Sequence, residues 1–198
     1  MPMEKLKVGN KLVWFDLKHQ SIIDAFPVFR LFEKTLLDVG TGRAQVPRVL
    51  GRGGWDVDCV DIKRRDCWKH DEHVNFIEGD FLTSKELREE YSVVMASEVL
   101  EHLPNYKQFL EKMIALATAR VIITVPFENS FDVPGPPPEG HCNYWSWQPV
   151  EGVLESDGKS EVVWQARSIT EFVDLCAPYS VSVSTIRTKP EDLGTGAA

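Results

Sequence analysis

One run constrains this chain more than any other. Thr35 to Val39 (TLLDV) is a continuous apolar run that stops at Gly40 and Gly42. A strand with one wet face alternates apolar and polar residues, whereas an unbroken apolar run marks a strand buried on both faces. Such a strand needs cover above and below, and the sequence supplies it by alternation. The two glycines turn the chain into a short helix ending near Gly51. Val57 to Asp61 (VDCVD) reads as a second strand, Asn75 to Asp80 (NFIEGD) as a third and Tyr91 to Ser97 (YSVVMAS) as a fourth. Thr83 and Glu86 form a candidate capping box for a small helix. Asn105 is the expected N-cap of a longer helix, in which Tyr106, Phe109, Leu110, Met113, Ile114 and Ala117 recur at helical spacing. Val121 to Val125 (VIITV) is a fifth buried strand, stopped by Pro126. Strand–helix repetition of this kind predicts an α/β fold: a mostly parallel sheet with helices on both faces.

The flanks are less regular. Residues 1–34 form a lead-in with one expected helix, in which Ile22, Ile23 and Phe26 share a face and which Pro27 ends. The main domain is expected over 35–190. Within it, 126–167 breaks the rhythm as an insertion after strand five. It holds PGPPP, then GHCNYWSW, then two β-like runs around Asp157-Gly158 that predict a hairpin. A further helix is expected from Ser168, with Glu171 as capping partner and Pro178 as its stop. A final strand is expected over Val181 to Arg187, and residues 191–198 read as a flexible tail.

Composition narrows the class. The 198 residues are 43% hydrophobic, enough for a sizeable core, and the net charge is −8. That sum argues against non-specific nucleic-acid binding driven by whole-molecule charge, without excluding a local basic site. The run Lys63-Arg64-Arg65 reads as a solvated turn or a phosphate contact. No apolar run approaches the ~20 residues of a membrane span. The start, MPMEKLKVGNK, lacks the apolar core of a signal peptide. Cys59, Cys67, Cys142 and Cys176 are scattered without CxxC or zinc spacing, which suits a reducing cytoplasm.

The chemistry starts where the first strand ends. Asp38-Val39-Gly40-Thr41-Gly42 lies between a buried strand and a helix, and glycines there let a ligand approach the backbone. Asp61 ends the second strand, 19 residues past Gly42. In nucleotide-binding α/β sheets an acid at about that distance accepts hydrogen bonds from ribose hydroxyls. The nicotinamide-dinucleotide pattern GxGxxG is not met, because Gln45 stands at its third glycine.

These residues resemble the class I, Rossmann-like S-adenosylmethionine (SAM)-dependent methyltransferases, of small-molecule type. LLDVGTGRA looks like their first motif, VDCVD like their second acidic motif, and FIEGDF like the segment whose aspartate faces the adenine amino group. ASEVLEHLPN resembles the segment that follows strand four in many small-molecule members. The likeness is good over 35–125 and loose beyond. Ala44 departs from it, standing where the family often has a third glycine. The resemblance implies S-adenosyl-L-methionine as cofactor, held by Asp38, Gly40, Thr41, Gly42, Asp61, Ile62, Asp80, Phe81 and Ser97. Asp61 would serve the ribose diol and Asp80 the adenine amino group; the lesser readings are that Asp61 caps the next segment and Asp80 caps a turn. Phe81 reads as core or as ligand contact.

Methyl transfer asks for alignment of a nucleophile and exclusion of water. An oxygen or nitrogen acceptor also asks for a base, and His102, just past strand four, is the candidate. It reads otherwise as a cap of the 105–118 helix. His141 is a second candidate. Glu98, Tyr144 and Trp145 are the expected acceptor contacts, with Trp147 as a further flat face and His141 and Asn143 as polar tips of the acceptor pocket. The stretch Phe127 to Trp147 is expected to form an irregular lid. Glu98, Glu101, His102 and His141 together resemble the metal set of small-RNA 3′-end 2′-O-methyltransferases, but GHCNYWSW departs from that family's histidine region, so no metal is expected. No NPPY-like motif and no Pro-Cys pair appear, which sets aside amino-methylation of DNA or protein amides and cytosine-C5 chemistry. The expectation is a cytoplasmic enzyme methylating oxygen or nitrogen of a small molecule. The alternatives are a metal-dependent RNA 2′-O-methyltransferase-like enzyme and a non-catalytic SAM-binding scaffold.

Overall fold

The computed structural model describes residues 4–8, 11–15, 17–26, 33–125, 143–146, 150–156 and 159–168. They fall into two compact units, one formed by the described residues from Glu4 to Ser97 and from Gln108 to Ile123, the other by Glu98–Lys107 and the described residues from Thr124 to Ser168.

The first unit opens with a hairpin, β1 (Glu4–Val8) and β2 (Lys11–Phe15), paired antiparallel from Glu4↔Phe15 to Val8↔Lys11. The sequence reading placed only a helix in the lead-in. That helix, α1 (Leu17–Asp24), follows the hairpin. Next come β3 (Thr35–Val39), α2 (Gln45–Arg52), β4 (Asp56–Asp61), β5 (Asn75–Glu78), β6 (Tyr91–Ser97), α3 (Tyr106–Leu116) and β7 (Ala117–Thr124). The sheet runs β5-β4-β3-β6-β7, and β3 lies parallel to both β4 and β6. Its order therefore reverses between β3 and β6, and in such sheets ligands bind at the carboxyl ends beside that reversal.

Alternation along the strands decides what each face buries. Leu36, Val57, Cys59, Val93 and Met95 share one cluster with Ile22 and Phe26 of the lead-in and with Val46 and Leu50 of α2. Burying each such side chain contributes roughly 1.5–3 kcal/mol. Phe26 meets Trp55 edge-on, with centroids 5.1 Å apart. Pro47 is tolerated in α2 because it lies in the first turn, where a backbone N–H has no helical partner. Gly51 is required by close approach, since a Cβ there would stand 2.4 Å from the His73 carbonyl oxygen.

At the amino edge of the sheet, Asp58 is buried and fully engaged. It accepts from Arg88 Nε (2.9 Å), Tyr91 Oη (2.8 Å) and Asn75 Nδ2 (2.8 Å). Arg88 also grips Asp56 through both terminal nitrogens, at 2.6 and 2.7 Å. These bonds hold the Arg88 guanidinium firmly protonated, the Asp56 contact foremost. Burial pushes the Tyr91 hydroxyl far above its usual range.

Three local expectations are corrected. No helix forms over 81–90: the segment is turns and bends, and Asp80, not Thr83, caps it by accepting Leu82 N–H on Oδ1 and Thr83 and Ser84 N–H on its carbonyl. Strand β7 begins at Ala117, directly after α3, rather than at Val121. Ser168 ends a strand instead of capping a helix. The remainder of that helix and the strand over 181–187 lie outside the described residues.

The second unit contains β8 (Tyr144–Ser146), β9 (Val150–Ser156) and β10 (Lys159–Ser168) in the order β8-β10-β9. β9 and β10 pair antiparallel from Lys159↔Ser156, with an irregularity between Val162 and Trp164. This is the hairpin expected at Asp157-Gly158. Tyr144 and Trp145 stand in a strand rather than in an irregular lid. Residues 127–142 and Trp147 of that stretch lie outside the described residues. No helix among the described residues is long and apolar enough to cross a membrane.

Candidate functional site

The glycine loop leaves β3 in a left-handed path. Gly40, Gly42 and Ala44 have φ of 69°, 51° and 53°. Gly40 N–H and Thr41 N–H both donate to the Val60 carbonyl, so the loop folds back over the end of β4. Gly42 suits its place because a side chain rarely adopts that φ. Ala44 adopts it with a Cβ, at a cost of roughly 1–2 kcal/mol. The position where the family often has glycine therefore keeps the backbone shape that glycine favours.

Two carboxylates flank the loop. Asp38, 3% exposed, accepts a hydrogen bond from the Thr41 hydroxyl on Oδ2. Burial raises its carboxyl to about 7; the Thr41 bond opposes the rise and the Asp61 charge adds to it. Cys59, its register partner on β4, has its thiol pushed up by burial and then by the Asp38 charge. Asp61 is half-buried. Its Oδ2 accepts Gly42 N–H at 2.9 Å and its Oδ1 accepts Lys63 N–H at 3.2 Å. Ile62, next in the chain, is 79% exposed and is the exposed large hydrophobic of the described surface. An acid with two acceptor oxygens, an apolar surface beside it and a glycine loop bound to the acid together fit an adenosine.

Asp80 is exposed, with Oδ1 bound to Leu82 N–H. The Phe81 ring is core: it is buried, 5.3 Å from the Phe109 centroid, with Lys112 Nζ 4.9 Å above it. Lys112 also donates to the Phe81 carbonyl at 2.5 Å. Ser97 ends β6.

In the second unit, Glu98 has a φ of 56°, a strained value for a residue with a Cβ. It is fastened twice to Thr124: its N–H donates to that carbonyl at 3.0 Å and its Oε1 accepts the Thr124 hydroxyl at 3.0 Å. Leu100–His102 is a short 3-10 turn. Glu101 is buried, and the half-exposed His102 holds Nε2 3.9 Å from Glu101 Oε1. Asn143 is not a polar tip of an acceptor pocket. It is buried, and its amide Nδ2 donates to the Leu100 and Leu103 carbonyls at 2.9 and 2.6 Å. His141 lies outside the described residues. Among those residues, no group of three or more histidines, cysteines and acids is placed to hold a metal ion.

Two residues that sequence reading missed hold the loop from below. Trp68 donates its indole N–H to the Gly42 carbonyl at 2.9 Å. Arg48, fully buried on α2, donates to the carbonyls of Arg43 (3.2 Å) and Cys67 (2.5 Å) and pairs with Asp71 at 2.8 Å.

Comparison with known proteins bears on the family and the fold. A family model described as a methyltransferase domain matches residues 18–158. A Listeria monocytogenes structure, assigned as an S-adenosylmethionine dependent methyltransferase, shares 15% identity at a TM-score of 0.54, over 80% of this chain and 81% of that one. A TehB-like SAM-dependent methyltransferase from Corynebacterium glutamicum shares 20% identity at a TM-score of 0.46, over 55% and 62%. The Burkholderia thailandensis 1,6-didemethyltoxoflavin-N1-methyltransferase shares 18% at 0.46, over 74% and 59%. The chain spans 52% to 62% of the length of several structures it matches. No curated protein matches it. The family match over most of the chain, on a sheet of this order with this loop and acid, makes the protein a member of the class I, Rossmann-like S-adenosylmethionine-dependent methyltransferases.

Proposed function

We propose that this enzyme transfers the methyl group of SAM to an oxygen or nitrogen of a small-molecule acceptor. One observation carries the cofactor half: Gly42 N–H bound to Asp61 Oδ2, with exposed Ile62 adjacent. When bound, SAM supplies a methyl group already activated on a sulfonium. The chain's tasks are then to bind, orient and deprotonate. Asp61 offers acceptor oxygens to the ribose diol, and Ile62 offers the adenine an apolar surface. Asp80, through Oδ2, accepts from the adenine amino group, with the backbone of Phe81 beside it. Gly40, Thr41, Gly42 and Ser97 serve the amino-acid end. Asp38 serves the same end, through water or the ammonium group.

On the acceptor side, His102 is the proposed base. Its imidazole is half-exposed, with Nε2 3.9 Å from Glu101 Oε1, so a ring nitrogen is within reach of solvent and of an acceptor's proton. Glu98, Tyr144 and Trp145 are the proposed acceptor contacts, and His141 is a second base candidate. A net charge of −8 favours a small acceptor over a nucleic acid. Free Cys59 and Cys67 suit a cytoplasmic enzyme.

The test is a screen. Purified enzyme is incubated with SAM and a panel of small oxygen and nitrogen nucleophiles, and S-adenosylhomocysteine is measured by mass spectrometry. The expected result is acceptor-dependent product, with His102→Gln lowering kcat about a hundredfold. Methyl incorporation confined to RNA, or release of S-adenosylhomocysteine with no acceptor in the panel favoured, would overturn the small-molecule reading.

A further inference from the structure

Gly42 is held on both sides of its Cα. The preceding peptide donates its N–H to Asp61 Oδ2, and the carbonyl of the following peptide accepts from Trp68 Nε1, each at 2.9 Å. Two bonds on two peptide planes fix both soft dihedrals of a residue that would otherwise be permissive. Trp68 can act as a fixed post. It is 4% exposed and stacks on Phe76 with centroids 4.8 Å apart and planes 10° from parallel. It belongs to the Asp66–His70 turn, whose Cys67 carbonyl is tied to the buried Arg48. Arg48 also holds the Arg43 carbonyl, the next one along the loop. The turn after β4 is thus fastened to the glycine loop directly at the Gly42 carbonyl and, through Arg48, at the Arg43 carbonyl.

We propose that Trp68 is a positioning residue for the cofactor, fixing Gly42 so that its N–H aims the Asp61 carboxylate at the ribose. This rests on the cofactor reading above. Binding is tighter when the site is ordered beforehand, because the ligand then orders nothing further. The contribution of Trp68 must pass through Asp61, which distinguishes it from a residue that only fills the core.

Two substitutions separate bond from bulk. Trp68→Phe keeps an aromatic ring on Phe76 and loses the donor. Trp68→His loses packing area but can place Nε2 where the indole Nε1 stands. SAM affinity by calorimetry is expected to fall about three- to tenfold in W68F and to stay within about twofold of the unaltered chain in W68H. Melting temperature should rank them the other way. In an Asp61→Asn background, the W68F loss should shrink below about twofold, since the carboxylate it positions is gone. Unchanged affinity in W68F, affinity that follows melting temperature, or a full W68F loss in the Asp61→Asn background would each overturn the proposal. If W68F does not fold, W68H decides: affinity near that of the unaltered chain despite a lower melting temperature supports the role, and a loss beyond about threefold overturns it. Absence of SAM binding by the unaltered chain would overturn the cofactor reading itself, and the positioning role with it.

Discussion

Gly42 and Asp61 are joined through 2.9 Å between backbone nitrogen and carboxylate Oδ2, although 19 residues separate them in the chain. The bond ties the glycine loop of β3 to the acid at the end of β4. The acid is therefore oriented before any ligand arrives. Replacing Asp61 by Ala removes the proposed ribose acceptor and the anchor of Gly42 together. SAM affinity should fall about ten- to a hundredfold, since a hydrogen bond to a charged group contributes roughly 1.5–3 kcal/mol. Calorimetric titration of folded mutant checks this, and unchanged affinity would remove Asp61 from the site.

Asp38 predicts a pH dependence of stability. Burial lifts its carboxyl from the ordinary 3.8 to about 7. Between those values the folded chain keeps a proton that the unfolded chain has released. The Asp38 contribution is fully present below about pH 4 and is lost as pH rises through about 7. Asp38→Asn carries no such titration. Urea unfolding of both proteins at pH 5 and pH 8 should show the mutant gaining on the parent as pH rises, and parallel pH profiles would contradict the assignment.

The Arg88 cluster lies at the opposite edge of the sheet and should affect stability alone. Arg88→Met leaves the buried Asp58 carboxylate without its cation, although Tyr91 and Asn75 still donate to it. The Arg88 side chain is 37% exposed, so the expected loss lies between surface and buried pairs, at roughly 2 kcal/mol. SAM affinity should not change. A mutant that keeps its stability but loses SAM binding would show that the two edges are coupled.

Much of this architecture is legible in the residues. TLLDV and YSVVMAS carry the largely apolar signal of buried strands, VDCVD the weaker signal of three apolar residues among two aspartates, and the glycines after Val39 mark the loop. The helix from Tyr106 shows its buried face at Tyr106, Leu110 and Met113. The opening hairpin also left a signal, Gly9-Asn10 between the runs EKLKV and KLVWF, which the helical period beyond it overshadowed. Trp68 and Arg48 left none. Their partners are backbone carbonyls, which every residue has, at positions that only the folded chain brings near. Asn143 is similar: its amide is spent on two carbonyls 40 and 43 residues away, so its polarity in sequence suggested a ligand. The capping box at Thr83 failed for a local reason, because Asp80 closes that turn first.

The most direct test of the account is whether the unaltered chain binds SAM. A calorimetric titration, paired with a melting curve at increasing SAM, measures it without knowledge of the acceptor. The account predicts a saturable one-to-one heat and a melting temperature that climbs with SAM concentration. No heat and no stabilisation at millimolar SAM would contradict it.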